Sequence, residues 1–425
     1  MFMTTMTVGA GEQYSTIAAA VAASHSGDTI NVDAGTYTND VLDISHSLTL
    51  QAIGDTVKLV GTAQPANGKG IIDEGGPGVN VAITGFDISG ATVRDANGAG
   101  VRYEGGSLVL NNVNIHNNQN GILANADANG AITIANSTFA NNGIGDGQTH
   151  NIYVGAVGSL TVKDSTITSA QVGHDIKSRA LSTTVTGNTI TDGASGTASY
   201  EIDLTNGGIG DIEGNFIEKG ANAQNPIAIT FGEEGNVYAN SSLTVKNNTI
   251  VTNYTAHNST AVVNKPGATA SISGNQLYGW TTTASGPATV GSNTTLAAEP
   301  GSAAPAAKAL AAPPTAVSSN AAVTPSTVAA APAAPSFMAD ASAGVQQATQ
   351  DVAAPIPVAN MTGQTLPADA AAAMLPTPAT DAAAWTGGPA PDDAADGSGY
   401  WSAQYQPGSS SDLMATAGST LPHGC

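Results

Sequence analysis

The first 292 residues alternate short apolar stretches with polar turns. Stretches such as SLVL from Ser107, AITI from Ala131 and SLTV from Ser159 carry an apolar residue at every second position. That period is typical of a β-strand with one buried face. Asn, Gly, Ser and Asp, which favour turns, recur between the stretches. The pattern therefore predicts many short strands joined by tight turns.

Seven of these segments end in a similar five-residue motif. The motifs are NNVNI from 111, ANSTF from 135, KDSTI from 163, TGNTI from 186, EGNFI from 213, KNNTI from 246 and SGNQL from 273. Successive motifs are 23–33 residues apart, and a coil of 20-odd residues is too short for a strand–helix–strand crossover, which needs about 30. Successive coils are therefore predicted to stack strand upon strand.

Aligning the motifs on their last residue creates a column of Ser and Asn two positions earlier. The column contains Ser137, Ser165, Asn188, Asn215, Asn248 and Asn275. Stacked Asn side chains can hydrogen-bond along a repeat of about 4.8 Å and satisfy turn backbone that has no other partner. The alternative is that Asn recurs here only because it favours turns.

A short helix is predicted near the N-terminus, in YSTIAAAVAA from Tyr14, with Ser15 or Thr16 as its N-cap. The segment GDTINVDAGTYTND follows from Gly27. Together they resemble the N-terminal cap and first coil of the pectin-lyase-like superfamily of parallel β-helices, in which a helix covers the open end of the stack. The resemblance spans residues 9–290. It implies an all-β fold, a single-stranded right-handed parallel β-helix with an N-terminal capping helix.

The resemblance is specific for the fold and much weaker for activity, because this superfamily includes lyases, hydrolases, epimerases, esterases, phage tailspikes and adhesins. The chain lacks the paired-Asp and Gly-His-Gly motifs of polygalacturonases, the Asp-Pro-His motif of mannuronan epimerases and the arginine-centred signature of pectate lyases. HNIYVG from 150, GHDIKSRA from 173 and SYEIDLTNGG from 199 are similar to a signature of bacterial β-helix proteins of unassigned function.

The composition changes near residue 296, where Ala, Pro, Ser and Thr become dominant and strand periodicity ends. Such a segment cannot bury enough apolar surface to offset the entropy of ordering. The predicted organisation is a cap and first strand in residues 1–40, a parallel β-helix in 41–295 and a disordered Ala/Pro-rich tail in 296–425.

The chain is strongly acidic, with 32 Asp and Glu against 11 Lys and Arg and a net charge of −21. Such a charge repels nucleic acids and anionic membranes, and no run of 18 apolar residues is present. We therefore expect neither partner, and the same repulsion applies to an acidic polysaccharide unless cations or a local basic cluster intervene. The resemblance implies a polysaccharide as the partner, and a monomer is expected. The opening residues lack the pattern of a secretory signal, whereas the fold analogy favours an extracellular or cell-surface location. The single Cys425 excludes an intrachain disulfide.

Polar residues concentrate in three neighbouring coils when one strand of each coil is aligned on its central inward residue. The alignment uses Val101, Ile122, Ile152, Ile176, Ile202, Ile227 and Val262. The flanking residues are predicted to face solvent as a grid with stacked neighbours about 4.8 Å apart. The columns of the grid are Asn151, Asp175 and Glu201; Tyr153, Lys177 and Asp203; and Gly155, Arg179 and Thr205.

Two enzymatic chemistries fit this grid. For β-elimination of a uronate polymer, Lys177 is the candidate base, Arg179 the carboxylate clamp and Tyr153 the proton donor. For glycoside hydrolysis, the candidate acid pairs are Glu201 with Asp203 and Asp175 with Asp203.

The like-charge neighbours Asp175 and Glu201 require an explanation. A bridging Ca²⁺, a raised pKa, or neutralisation by Lys177 and Arg179 would each supply one. The alternative interpretation of the whole grid is an exposed ionic ladder with no catalytic role.

Several neighbouring residues complete the predicted substrate-binding set. His150 and His174 occupy equivalent positions before their strands, and Tyr200 is next in the column. Two stacked histidines suit metal binding or acid–base catalysis. The alternative is a packed aromatic ladder. The substrate-binding candidates are Tyr153, Asn151, His150, His174 and Arg102. Glu233 and Glu234 in FGEEGN are candidates for the rim of the cleft, but a solvated loop is the favoured interpretation.

The sequence thus leaves two functions open. The first is a polysaccharide lyase or glycoside hydrolase acting at the charged grid on one parallel sheet. The second is a non-catalytic polysaccharide-binding, surface or structural β-solenoid, since extended solenoid surfaces suit long polymers in both cases.

Overall fold

Successive coils of the chain stack strand upon strand and form a parallel β-helix. The computed structural model describes residues 3–193, 195–254 and 258–301. Within these ranges the strands pair in parallel, from the Thr5–Thr29 pair at one end to the Gln276–Thr294 pair at the other. The predicted fold is therefore confirmed for this part of the chain. The predicted tail lies outside the described residues from residue 302 onward.

Ten strands form the sheet that carries the predicted grid, which we call the site sheet. Each coil contributes one strand to it, so one step between neighbouring strands is one rung of the helix. Its strands are β3 (Leu42–Ile44), β5 (Gly70–Glu74), β8 (Ala99–Tyr103), β11 (Asn120–Ala124), β14 (Ile152–Val154), β17 (Ile176–Ser178), β20 (Ile202–Leu204), β23 (Ile227–Phe231), β26 (Thr260–Asn264) and β29 (Thr282–Ser285).

The remaining 21 strands form a second sheet with two columns of strands. The first column consists of β1 (Thr5–Val8), β2 (Asp28–Thr38), β4 (Leu48–Val60), β6 (Asn80–Thr84), β9 (Ser107–Asn111), β12 (Asp127–Ala135), β15 (Val157–Lys163), β18 (Ser182–Thr186), β21 (Ile209–Glu213), β24 (Ser242–Lys246), β27 (Thr269–Ser273) and β30 (Ala288–Val290). The second consists of β7 (Phe86–Ser89), β10 (Asn114–His116), β13 (Thr138–Ala140), β16 (Thr166–Thr168), β19 (Thr189–Thr191), β22 (Phe216–Lys219), β25 (Thr249–Thr252), β28 (Gln276–Tyr278) and β31 (Thr294–Thr295).

A short helix packs against the first strands, as the sequence predicts. Helix α1 (Ile17–Ala23) has Thr16 as its N-cap, whose side chain accepts a hydrogen bond from the Ala19 amide. Asp40 accepts two more from the amides of Ile17 and Ala18, at 2.6 and 3.1 Å. The first-turn amides of a helix have no partner within it, so these contacts stabilise the cap. No helix in the described ranges is long and apolar enough to cross a membrane.

The apolar core follows the predicted repeat. The last residues of the seven motifs stack in one buried column, in which each is the strand partner of the next. The column consists of Ile115, Phe139, Ile167, Ile190, Ile217, Ile250 and Leu277. The β-branched and aromatic side chains in it suit a pleated surface that is buried on one face.

The predicted asparagine ladder is present and explains how the turns stack. The backbone amide of Asn188 donates to Asn215 Oδ1 at 2.9 Å, and Asn215 donates to Asn248 Oδ1 in the same way. Each side-chain amide also bonds the next rung, as Asn188 Nδ2 does to Asn215 Oδ1 at 3.0 Å. Ser137 and Ser165 continue the column toward the N-terminus, and Asn293 extends it beyond Asn275.

The alignment of the site sheet is correct from Val101 to Ile202 and wrong at the next strand. Ile202 pairs with Ile229, and Ile227 lies one alternation earlier, opposite Thr260. Ile227, Ile229 and Phe231 have the same alternation, so the apolar pattern alone allows a shift of two residues. As a result, Phe231 instead of Ile229 follows Leu204 in the inward column.

Replacing one ladder asparagine should destabilise the whole stack. Asn215 is buried, accepts from two groups of Asn188 and donates to Val185 O and Asn248 Oδ1 at 2.8 and 2.9 Å. Asn215→Ala leaves these groups without partners, so we expect a loss of about 2–4 kcal/mol in the free energy of unfolding, measured by urea denaturation.

The matched control is Asn80→Ala, at an exposed strand position. It should change the unfolding free energy by less than about 0.5 kcal/mol. Equal effects of the two substitutions would show that the ladder does not stabilise the stack.

Candidate functional site

Neighbouring strands bring the second column of the predicted grid together on the outer face of the site sheet. Tyr153 is the direct strand partner of Lys177, and Lys177 is the direct partner of Asp203. Arg179 follows β17, and its amide bonds Val154 O at 2.9 Å. These side chains therefore occupy three adjacent rungs, as predicted.

Arg179 is the most connected residue on this face. Its Nε donates to the Tyr153 hydroxyl at 3.0 Å, and its guanidinium carbon lies 5.8 Å from the centre of the Tyr153 ring. One terminal nitrogen donates to Asn206 Oδ1 at 2.8 Å. Both terminal nitrogens donate to the carboxylate of Glu234, one of them to Oε1 at 2.9 Å. This two-bond contact is the preferred geometry of a guanidinium with a carboxylate.

Glu234 belongs to the site, although the sequence interpretation favoured a solvated loop for it. It lies after β23 in a long turn, and its Oε1 also contacts Lys177 Nζ at 3.0 Å. One carboxylate thus contacts both cations of the predicted site. Partial burial alone would raise the pKa of Glu234, but the hydrogen bond from Arg179 and the charge of Lys177 outweigh it and lower that pKa to about 2.

Asp203 lies beside these cations on the outer face of the sheet and is almost fully buried. Its Oδ2 is 4.0 Å from Lys177 Nζ and 3.2 Å from His174 Nδ1. Burial raises the pKa of Asp203 to about 7, although Lys177 acts in the opposite direction. Asp203 therefore points to the outer face as predicted, but the prediction that it is exposed to solvent is wrong.

The first column of the predicted grid is also wrong, because its residues point inward. Asn151, Asp175 and Glu201 each stand one residue before a strand begins, in a bend where the alternation of a strand does not apply. All three are fully buried. Thr205, which follows β20 in the third column, is buried too, and Gly155 offers no side chain.

Asn151 and Asp175 belong to a second ladder at this corner of the coil. Asn118 Nδ2 donates to Asn142 Oδ1 in the next coil, and Asn142 Nδ2 donates to Asn151 Oδ1 within that same coil. Asn151 Nδ2 then donates to Asp175 Oδ1 one coil further along, at 2.7 Å. The Ala170 amide donates to the same oxygen at 3.2 Å. Asp175 Oδ1 therefore accepts two hydrogen bonds, as the side-chain oxygen of an asparagine would.

Glu201 forms a buried ion pair instead of facing a substrate. Lys219 Nζ lies 3.2 and 3.4 Å from its two oxygens and also donates to Ser199 O. Both side chains are fully buried. Burial raises the pKa of Glu201 well above its usual range, with Lys219 opposing the shift.

These contacts contradict the predicted Ca²⁺ between Asp175 and Glu201, because each carboxylate bonds protein groups inside the core. In the described ranges no group of three His, Cys, Asp or Glu side chains is arranged to hold a metal ion.

The two histidines form a packed aromatic ladder with Tyr200. The ring centres of His150 and His174 are 4.8 Å apart, and those of His174 and Tyr200 are 5.0 Å apart. The His174 amide donates to His150 Nδ1 at 2.9 Å, which requires that nitrogen to be unprotonated. Burial lowers the pKa of both histidines well below the usual range. The ladder also supports the site, since His150 stacks on Tyr153.

Arg102 lies in the same outward column, three rungs before Lys177. The register runs through Leu123 and Tyr153, so the separation is about 14 Å. Arg102 contacts Glu104 at 3.3 Å and Asn125 at 3.0 Å. It therefore belongs to a separate polar cluster on the same face.

Replacing Asp175 by asparagine should stabilise the protein at alkaline pH. Burial, assisted by the charge of Asp192, raises the pKa of Asp175 to about 8. The folded state keeps a proton that the unfolded chain releases near pH 4, so stability falls as the pH rises from about 4 to about 8. Asp175→Asn removes this dependence and keeps the oxygen that Asn151 and Ala170 bond.

We expect the variant to gain at least about 1 kcal/mol at pH 8, roughly 2–4 °C in Tm, and little at pH 4. Thermal unfolding followed by circular dichroism across this range measures it, with exposed Asp95→Asn as the control. A gain of the same size at both pH values would contradict the buried-acid explanation.

The chain was compared with known proteins. No family model and no curated protein sequence matches it. Among solved structures, an alginate lyase from Paenibacillus sp. strain FPU-7 is 19% identical with a TM-score of 0.46, covering 68% of this chain and 99% of that one. The pectate lyase Pel9A is 14% identical with a TM-score of 0.45, covering 69% and 80%.

A third solved structure is the A-module of the mannuronan C-5 epimerase AlgE6 from Azotobacter vinelandii. It is 12% identical with a TM-score of 0.29 and covers 66% of this chain and 94% of the module. Likenesses of this degree say nothing about the reaction. The strand pairing of the chain itself establishes what it is: a parallel β-helix protein, whose activity must be argued from its own residues.

Proposed function

We propose that the protein binds an acidic polysaccharide along the outer face of the site sheet and cleaves it by β-elimination. The observation that carries the proposal is the contact of Tyr153, Lys177 and Arg179 on adjacent rungs. This reaction needs a cation to neutralise the sugar carboxylate, a base for the proton on the adjacent carbon and an acid for the leaving oxygen.

The three side chains supply these roles. Arg179 is the carboxylate clamp, because its guanidinium is already oriented for two-bond contact with a carboxylate. Lys177 is the base. Tyr153 is the proton donor, since its oxygen accepts from Arg179 Nε and its own hydroxyl proton is directed elsewhere. The base breaks the C–H bond, the electron pair forms the double bond, and the C–O bond to the next sugar breaks as Tyr153 protonates the oxygen.

The continuity of the outer sheet face supports a polymer as the ligand. Two surface cavities, of about 110 and 360 Å³, lie near the N-terminal coils beside Gln64, and neither includes Tyr153, Lys177 or Arg179. The candidate residues instead lie on a sheet face that continues past Leu123 to Arg102. An extended ligand can follow such a face from rung to rung.

Glycoside hydrolysis is the second candidate, favoured by one observation. Asp203, with a pKa of about 7, and Glu234, with a pKa of about 2, both contact Lys177 Nζ at 4.0 and 3.0 Å. Their nearest oxygens are therefore no more than about 7 Å apart, a separation within the range for acid pairs. Two carboxyls with divergent pKa values are a pattern of acid–base catalysis. The burial of Asp203 makes β-elimination the better supported reaction.

Substitutions at the three residues test the reaction. Tyr153→Phe and Arg179→Lys should each lower the rate of cleavage of polygalacturonate or alginate by about 100-fold or more, since each removes a group that acts in the transition state. The ultraviolet absorbance of the unsaturated product measures the rate, and a reducing-end assay run in parallel detects hydrolysis.

Lys265→Met is the matched control, because Lys265 follows β26 of the site sheet and pairs with Glu233 outside the cluster. It should retain the wild-type rate. Reducing ends without ultraviolet absorbance would favour hydrolysis, and binding of either polymer with no product at all would identify a non-catalytic binding protein.

Arg102 should affect long substrates selectively. Because it lies about 14 Å from Lys177 along the column, an oligomer must span several sugars to contact both. Arg102→Ala should weaken the binding of long uronate oligomers roughly fivefold and leave short ones unchanged, as measured by calorimetry. Arg94→Ala, at an exposed position, is the control. An equal loss for all lengths would argue against a distal contact.

A further inference from the structure

Glu234 occupies the position at which the proposed function requires a carboxylate of the substrate. Its two oxygens contact Arg179 and Lys177, the two cations nearest to Tyr153. Lys69 and Arg102 also share a carboxylate, that of Glu104, but neither of them bonds both of its oxygens. In the described part of the site sheet, only Glu234 combines a two-bond contact to one cation with a contact to a second cation. The central contact is therefore the strongest carboxylate-binding geometry on this face.

We propose that Glu234 is an internal competitor: a carboxylate of the chain that holds the clamp until a uronate carboxylate displaces it. The inference rests on the proposed function, since it assumes that Arg179 binds the sugar carboxylate beside Lys177. The inference adds two points to the proposed function. The site is selective for carboxylate ligands, and the Glu234 carboxylate limits the affinity with which they bind.

The backbone around Glu234 is fixed, so the exchange requires only its side chain to move. The Glu234 amide donates to Thr205 O at 2.9 Å, and the Val237 amide donates to Asn206 O at 3.1 Å. The Tyr238 hydroxyl also bonds Arg179 O at 2.7 Å. These bonds hold the turn against the site sheet while the Glu234 side chain, which is partly exposed, can rotate toward solvent.

Because Glu234 is part of the chain, it competes strongly with a sugar carboxylate for Arg179. A tethered carboxylate has a high effective concentration at the clamp, so a single sugar carboxylate competes poorly with it. The low pKa of Glu234 means that the side chain stays ionised at neutral pH. A ligand that makes additional contacts along the sheet can overcome this competition, which favours polymers over isolated sugars.

Neutralising Glu234 tests the proposal. The probes are a galacturonate trimer and its methyl-esterified, uncharged counterpart, and calorimetry measures the affinity of each. Glu234→Gln should bind the charged trimer on the order of tenfold more tightly than the wild type, because the competent state of the clamp is no longer masked. The uncharged trimer should show no such gain.

The chain supplies a close control in the neighbouring residue. Glu233 carries the same charge but contacts Thr230 and Lys265, at 3.1 and 3.0 Å. Glu233→Gln therefore changes the net charge equally and should leave the affinity unchanged. An equal gain in both variants would attribute the effect to general charge repulsion and overturn the proposal.

Weaker binding by Glu234→Gln would also overturn it, because that result means Glu234 serves to position Arg179. Glu234→Ala and a Tm measurement separate this outcome from misfolding: a folded alanine variant must show the same gain in affinity. If neither the wild type nor the variants bind any uronate, the proposed function itself fails. If the wild type binds and Glu234→Gln binds no better, only the internal competitor is excluded.

Discussion

The structure depends on side chains that bond from one turn to the next. In a stack of short strands, strand pairing alone leaves the turn amides without partners, and buried amides without partners are costly. The asparagine column through Asn188, Asn215 and Asn248 bonds each turn amide to the side chain of the following coil. This fixes the coils in a single register. The separation of Tyr153 and Lys177 on the open face follows from that register.

The second ladder has a different consequence, because its chemistry changes beneath the site. Asn118, Asn142 and Asn151 are neutral amides, whereas Asp175 and Glu201 are acids at the following rungs. Each precedes the strand that carries a site residue, and Lys219 neutralises the deepest of them. The residues that support the site are therefore buried groups whose protonation changes the free energy of unfolding. Few other parts of the described core contain such groups. Removal of the proton from Asp175 would bury a negative charge beside the Glu201 carboxyl.

The sequence was sufficient for the fold because the repeated motif constrains many positions at once. A slip of one residue would expose the whole column from Ile115 to Leu277, so the register of that column could be predicted. The grid was predicted only in part. Tyr153, Lys177 and Arg179 lie as expected, but the alternation of a strand was extended to Asp175 and Glu201, which lie in bends. Side chains alternate between the two faces only within a strand. Because the strands here are three residues long, a residue just outside a strand is easily given the wrong face.

Glu234 shows a second limit of sequence reasoning. It lies in a turn with no repeat, and its contact with Arg179 spans 55 residues. The only available signal was the charge itself: Arg179 and Lys177 are rare cations in an acidic chain, and a neutralising partner was to be expected near them.

The contact of Glu234 with Arg179 and Lys177 sets the charge balance of the site. With Glu234 in place, Lys177 and Arg179 are offset by two acidic groups, and an acidic polymer meets no net attraction on this face. Once the Glu234 carboxylate turns away, the two cations face only Asp203, whose pKa of about 7 leaves it partly neutral. Attraction for an anionic ligand thus arises from the exchange of one carboxylate for another. A protein with a net charge of −21 can in this way bind an acidic polymer locally without a basic surface.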